Sequence, residues 1–219
     1  MSRFIQLLFL FLLPTIGAVS YKADKYSLRF IANNTDYFAK IKIDLKVNEE
    51  VKSINLKASR LITVLKARVY TSAKLSHGEP DWNTHLSDVS YDQKSGSIKI
   101  AVDAVSPKTT TEGAFIEIDY RGVVMNEKIP PAYYDGKNVN IDFSDGAEKI
   151  VPLVSEDPVN FELTVVTVKN GTVKVNNLEE GKKGETGKLG FDNNYVSKKP
   201  IDLKTLSFSI SPPFSAVLV

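Results

Sequence analysis

The sequence contains no cysteine, only two histidines and only one tryptophan among its 219 residues. Without cysteine the chain can form no disulfide, no thiolate metal site and no thiol nucleophile. The two histidines, His77 and His85, do not have the i, i+4 spacing of the H-E-x-x-H zinc motif. We expect them to lie in a surface loop, with a weak metal site as the alternative.

A large excess of charge of either sign is also missing, since the formal net charge is only +2. Such a chain gives no electrostatic reason to expect a nucleic acid as partner. No glycine-rich phosphate loop and no G-x-S-x-G elbow occurs in the sequence. A Ser-His-Asp triad assembled by the fold, in a hydrolase of another kind, stays open as an alternative.

The one long apolar run, within residues 1–20, has the layout of a secretory signal peptide. A single arginine precedes an apolar stretch at residues 4–16, and small residues follow it. A membrane span needs about 20 apolar residues, and this stretch is shorter and interrupted by a glutamine and a proline. We therefore expect cleavage after Ala18 or Ser20, with an uncleaved anchor as the alternative. Residues 21–219 would then form one secreted domain without a membrane span.

Apolar–polar alternation with a period of two dominates the rest of the chain. In residues 37–47, for example, Ile41 and Ile43 alternate with lysine and aspartate. Such segments recur about every ten residues between Gly, Pro, Asn and Ser clusters, which predicts an all-β fold, an antiparallel β-sandwich. Residues 61–70 indicate a strand covered on both faces, and residues 77–88 indicate the longest loop.

An acidic pair, Glu156 and Asp157, stands between two prolines in residues 147–161. Two carboxylates can serve as general acid and base when a pocket separates their pKa values. Adjacent residues of an extended chain point to opposite sides, however, so the two are poorly placed to share a substrate. We interpret the pair as loop solvation or local capping.

Aromatic residues and sequons supply the remaining candidates. Trp82 and the pair Tyr133–Tyr134 could form a ligand-stacking surface, although aromatic residues in β proteins more often pack on the core. Asn33 and Asn170 begin N-x-T sequons, which predicts N-glycosylation of a secreted chain.

The order of the strands resembles the N-terminal β domain of the aminopeptidase N family of zinc exopeptidases. Three motifs carry the resemblance: Y-x-L-x-(F/L), I-x-L-H-x-x-x-L-x-I, which this sequence matches in a looser register, and I-x-Y-x-G. They correspond here to Tyr26, Leu28 and Phe30; to Ile54, Leu56, Leu61 and Val64; and to Ile118, Tyr120 and Gly122. The resemblance covers residues 24–214 and implies saddle-like antiparallel sheets.

The acidic stretch also has a counterpart in the family, in the motif A-R-x-x-F-P-C-(F/W)-D-E-P. The resemblance places Ala147, Pro152 and Glu156 on the family's Ala, Pro and Glu. It places Glu148, Leu153 and Ser155 where the family has Arg, Cys and Asp. The stretch is thus interpreted as a degenerate family loop, whose site-facing residues have changed while its turn-forming residues stayed.

The family's catalytic motifs, G-(A/G)-M-E-N and H-E-x-x-H-(x18)-E, do not occur in this sequence. We therefore expect a secreted, non-catalytic module with no cofactor and no metal ion, which binds an unknown protein or peptide partner. A truncated isoform or fragment of a zinc aminopeptidase is the alternative. Residues 129–134 and 212–219 are candidates for an exposed partner face, unless they fold back on the sheets.

Overall fold

A computed structural model describes residues 20–74, 80–86, 89–92, 95–186 and 190–214. These ranges form β-strands with two short 3₁₀ turns, Ala147–Lys149 and Leu203–Thr205. The strands are β1 Tyr21–Ala32, β2 Asp36–Val47, β3 Val51–Lys57, β4 Ile62–Lys74, β5 Pro80–Leu86, β6 Val89–Asp92, β7 Ser97–Val105, β8 Gly113–Val123, β9 Ala132–Tyr134, β10 Val139–Asp142, β11 Asn160–Thr167, β12 Thr172–Val175, β13 Glu179–Glu180, β14 Gly184–Thr186, β15 Gly190–Val196 and β16 Ser207–Ser211. The described residues contain no helix long and apolar enough to cross a membrane.

Nine strands form one large sheet in the order β13-β15-β11-β1-β2-β8-β4-β5, with β14 also paired to β15. Its neighbours are antiparallel except for β1 and β11, which run parallel. Parallel neighbours cannot be joined by a hairpin, and here all of β2 to β10 lies between the two strands. The predicted all-β antiparallel architecture is confirmed, with this one parallel pair as an addition.

Two smaller sheets, β12-β16-β10-β9 and β3-β7-β6, contribute residues to the same core as the large sheet. Alternation places Tyr26, Leu28 and Phe30 of β1 on the inner face, each at most 2% exposed. The ring of Phe30 lies edge-on to Phe208 of β16, with centroids 5.2 Å apart, and so joins two sheets. The opposite side of the large sheet, which we call the outer face, carries the polar partners of the alternation.

Two sequence predictions are wrong in this region. Residues 77–88, predicted as a loop, include β5, which pairs with β4. Pairing with the preceding strand has overridden the local Pro, Asn and Asp content. Residues 61–70, predicted to be covered on both faces, form part of β4 with one open face, where Leu65 is 53% exposed. A β-bulge between Val64 and Lys66 shifts the alternation there.

Candidate functional site

The degenerate loop is packed into the protein rather than open to a substrate. Ala147, Pro152 and Leu153 are buried, whereas Glu148 and Ser155 are partly exposed. Leu153 and Lys57 exchange two backbone hydrogen bonds of 2.8 Å, so the loop extends the edge of β3. This pairing explains how a stretch rich in turn residues is fixed to the three-stranded sheet.

Glu156 lies on the exposed rim of this loop, where two lysines neutralise its carboxylate. Lys57 Nζ donates to one carboxylate oxygen at 2.6 Å, and Lys204 Nζ donates to the other at 2.8 Å. The hydrogen bonds from Lys204 and Lys57, with the charges of both lysines, lower the pKa of Glu156 to about 2. A carboxylate that stays ionised above this pKa and already accepts two charged donors is a poor general acid or base near neutral pH. The side chain instead ties β3 to the turn at 203–205.

A buried tyrosine of β1 forms a hydrogen bond with the backbone of the same loop. The hydroxyl of Tyr26 accepts a 2.8 Å hydrogen bond from the backbone N–H of Val154. Burial of the ring raises the pKa of Tyr26 to about 12, so the hydroxyl stays neutral at physiological pH. The first residue of the family-like motif in β1 thus supports the loop directly.

The predicted histidine loop is not a single feature in the structure. His77 lies outside the described residues, while His85 belongs to β5 and pairs with Val69 of β4. The prediction of a surface loop is therefore wrong for His85. Among the residues that the structure describes, no three His, Cys, Asp or Glu side chains come together as a metal site.

The aromatic candidates belong to strands of two different sheets. Trp82 lies in β5, paired with Ser72 of β4. Tyr133 pairs with Asn140 on the polar face of the four-stranded sheet, while Tyr134 packs against the core. Because alternate residues of β9 point to opposite sides, the two adjacent tyrosines cannot stack on a common ligand.

The two sequon asparagines lie in contrasting environments. Asn33 is only 9% exposed, and its Oδ1 accepts hydrogen bonds from the N–H and hydroxyl of Thr35 and from the N–H of Asp36. Asn170 lies exposed in the turn between β11 and β12, with a positive φ of 67°. Glycosylation of both asparagines stays a prediction, but only Asn170 presents its amide on the surface of the fold.

A depression of about 420 Å³ lies on the outer face of the large sheet, and sequence reasoning missed it. Its apolar lining includes Ile31, Phe38, Leu65, Val166 and Phe214. Ile31 and Phe38 lie directly opposite each other on β1 and β2. Leu65 projects from the bulge in β4. Ile31, Phe38 and Val166 are apolar residues at strand positions where simple alternation calls for a polar one.

Two ion pairs lie beside this depression. Arg29 Nη1 contacts a carboxylate oxygen of Asp192 at 2.7 Å, and Lys40 Nζ lies 3.5 Å from a carboxylate oxygen of Asp119. Arg29 and Lys40 are cross-strand neighbours, and like charges in that arrangement repel. Asp192 of β15 and Asp119 of β8 offset this repulsion.

The segment at residues 212–219 contributes to the depression through Phe214. The backbone N–H of Phe214 donates to the carbonyl of Ala32 at 3.1 Å, so this part of the segment folds back on β1. Its side chain nevertheless stays partly exposed and lines the depression. The other candidate segment is open at Ile129, which is 51% exposed, and is paired with β10 through β9.

Comparison with known proteins gives a match of fold only. No family model matches the sequence, and no curated protein matches it either. Among solved structures, the M1 zinc metallopeptidase from Deinococcus radiodurans aligns with a TM-score of 0.65 and 12% identity, over 91% of this chain and 44% of that chain. A mutant of that enzyme bound to a Tyr-Ser-Ala substrate aligns with the same TM-score and 11% identity, over 88% and 43%.

The chain therefore spans less than half the length of the peptidases whose fold it shares. At these identities the match establishes architecture, and function has to be argued from the residues. The resemblance seen in the sequence is confirmed at the level of the fold: the chain has the fold of the N-terminal β domain of M1 zinc metallopeptidases of the aminopeptidase N type.

Proposed function

We propose that this chain is a secreted, non-catalytic β module that binds a protein or peptide partner through the depression on its outer face. The sequence contains no H-E-x-x-H motif. The acidic loop, which resembles a loop of the aminopeptidase N family, has its glutamate bound to two lysines. Both facts favour binding over bond cleavage.

The apolar depression is the observation that carries the proposal. Its volume of about 420 Å³ lies in the range of small-ligand pockets, which is about 300–1,000 Å³. Leu65 remains 53% exposed at its edge, although leucine is favoured in the interior. Apolar surface gathered at one place on a polar face is typical of an interaction site. A side chain from a partner would bury these residues without any rearrangement of the sheet.

Binding can be measured with fluorescein-labelled octapeptides that share a central Leu-Phe pair and differ in acidic, neutral or basic flanks. We expect fluorescence anisotropy to detect binding of at least one peptide by the purified chain. A Leu65→Asp variant should lose this binding, because a carboxylate in the depression must be desolvated when a peptide side chain enters. The side chain is already exposed, so folding should be unaffected.

The matched control is Val196→Asp. Val196 is another exposed aliphatic residue of the large sheet, 41% exposed, and it pairs with Glu162 away from the depression. This variant should bind as the original chain does. The proposed binding role would be contradicted if no peptide bound, or if Leu65→Asp and Val196→Asp lost peptide binding to the same extent.

The non-catalytic part of the proposal has its own test. The purified chain, supplied with zinc at a high protein concentration, should release no fluorophore from aminoacyl-coumarin reporters. Release that a chelator abolishes would show a metallopeptidase and overturn this part of the proposal.

A second candidate is that the chain is the N-terminal part of a complete zinc aminopeptidase. The observation in its favour is the alignment of 88% of this chain with only 43% of a solved peptidase chain. Sequencing of the transcript decides between the two. An in-frame H-E-x-x-H motif downstream would establish the second candidate, and its absence would favour the first.

A further inference from the structure

The strand register places two rows of side chains across the depression on the outer face of the large sheet. The first row runs Thr164, Arg29, Lys40, Asp119, Lys66 over β11, β1, β2, β8 and β4. Directly paired residues present their side chains on the same face of a sheet. This row therefore holds three cationic groups and one anionic group in a line.

The second row contains the apolar floor of the depression. It runs Asp192, Val166, Ile31, Phe38, Arg121, where the pairings Asp192–Val166, Ile31–Phe38 and Phe38–Arg121 are direct. Val166 comes next to Ile31 because the parallel register of β1 and β11 pairs Phe30 with Val165. The charges at the two ends of this row cancel.

The charges of these two rows together do not cancel. We call the six charged side chains of the two rows the rim: Arg29, Lys40, Lys66, Arg121, Asp119 and Asp192. The rim has an excess of two positive charges. The next row outward contains Glu162, Lys42, Glu117 and Arg68, which balance one another, and Glu179 at its end, which is paired with Lys198.

Two cations of the rim are available to a ligand. Lys66 and Arg121 are exposed, and neither forms an ion pair of 4.0 Å or less with a carboxylate in the part of the chain that the structure describes. By contrast, Arg29 is held by Asp192 at 2.7 Å. The unsatisfied positive charge thus lies on β8 and β4, beside Phe38 and Leu65.

We infer that the partner presents an extended acidic–apolar segment, in which an apolar side chain enters the depression and flanking Asp or Glu residues meet Lys66 and Arg121. This inference rests on the proposed binding function and adds the chemistry of the partner. Burial of apolar surface provides most of the binding affinity. Complementary charges provide specificity among partners and make binding sensitive to salt.

The experiment compares the acidic and basic octapeptides on a Lys66→Glu/Arg121→Glu double variant. The original chain should bind the acidic peptide about tenfold more tightly than the basic one at low salt, as expected for two exposed ion pairs. This preference should shrink at 0.5 M salt. The Lys66→Glu/Arg121→Glu double variant should bind the basic peptide more tightly than the acidic one. The control is the double variant Lys52→Glu/Lys174→Glu, which makes the same change in net charge but on the two smaller sheets. It should keep the preference for the acidic peptide.

The outcomes separate this inference from the function on which it rests. If both peptides bind equally, and Leu65→Asp still abolishes binding, the depression is a peptide site but the charge inference is wrong. If no peptide binds, the proposed function fails first. If laurate binds in the depression and no peptide competes with it, the site takes an anionic amphiphile, and the inference about a peptide is overturned.

Discussion

Replacement of Gly122 by alanine tests the packing on which the fold depends. Gly122 of β8 is paired directly with Tyr37 of β2. The tyrosine ring lies across the glycine, so an added Cβ would overlap two ring carbons and the hydroxyl oxygen at separations well below 3.0 Å. A cross-strand tyrosine side chain over a glycine is a known way to cover the gap left by a missing side chain. The glycine of the I-x-Y-x-G motif is therefore required by a ring on the neighbouring strand.

The ring of Tyr37 has little freedom to move away. It is 1% exposed, stacks on Phe30 with centroids 4.8 Å apart, and lies edge-on to Tyr120 at 6.3 Å. Overpacking of a well-packed core costs about 1–3 kcal/mol. Because the overlap here is with a ring fixed on two sides, we expect Gly122→Ala to lower the free energy of unfolding by about 3 kcal/mol.

Urea unfolding followed by circular dichroism measures the effect. With a slope of about 2 kcal/mol/M, the midpoint should fall by about 1.5 M. In a Tyr37→Leu background, the ring is gone, and the additional cost of Gly122→Ala should fall below about 1 kcal/mol. The control, Gly184→Ala, meets only Asp192 Cβ at 4.0 Å and should stay within about 0.5 kcal/mol of the original chain. A cost of Gly122→Ala that is small, or unchanged by Tyr37→Leu, would refute the packing argument.

Three further predictions concern the loop and the sequons. The pKa of Glu156 is about 2 in the folded chain, against an ordinary value of 4.5, so the stabilisation from its two lysines is fully present above pH 4.5 and is lost as the pH falls through about 2. The free energy of unfolding of Glu156→Gln should therefore be lower than that of the original chain at pH 7 and equal to it near pH 2; an equal gap at both pH values would contradict this. Tyr26→Phe leaves the N–H of Val154 without its acceptor and should cost about 1–3 kcal/mol, measured by urea unfolding; no change would show that the hydroxyl is dispensable. In secreting cells, Asn170→Gln should abolish the glycosidase-sensitive mass shift, whereas Asn33→Gln should keep it and lower stability; the opposite pattern would show that Asn33 is the glycosylated residue.

Local alternation was enough to predict the central strands of the fold. β1, β2 and β8 follow the period-two pattern closely, since each buries one face over most of its length. The sheet order could not be read in the same way. The parallel pairing of β1 with β11 joins residues about 135 positions apart, such as Tyr26 and Phe161, and single-strand patterns contain no information about such partners.

The candidate site depended even more on distant contacts. The interpretation of Glu156 and Asp157 as a non-catalytic pair came from their adjacency in sequence. The lysines that bind Glu156 come from positions 57 and 204, and no motif connects these positions. The lining of the depression is equally dispersed over the chain. Its only sequence signal is an extra apolar residue beside a core residue, as with Ile31 after Phe30 and Phe38 after Tyr37.

One measurement tests most directly the claim that this chain acts by binding rather than by cleavage. The purified chain is equilibrated with zinc and a defined pool of acidic, neutral and basic apolar peptides, and the bound and free fractions are read by mass spectrometry. We expect every peptide to stay intact and the acidic–apolar peptides to be enriched in the bound fraction. Peptides shortened from their N-termini, in a reaction that a chelator stops, would contradict the account.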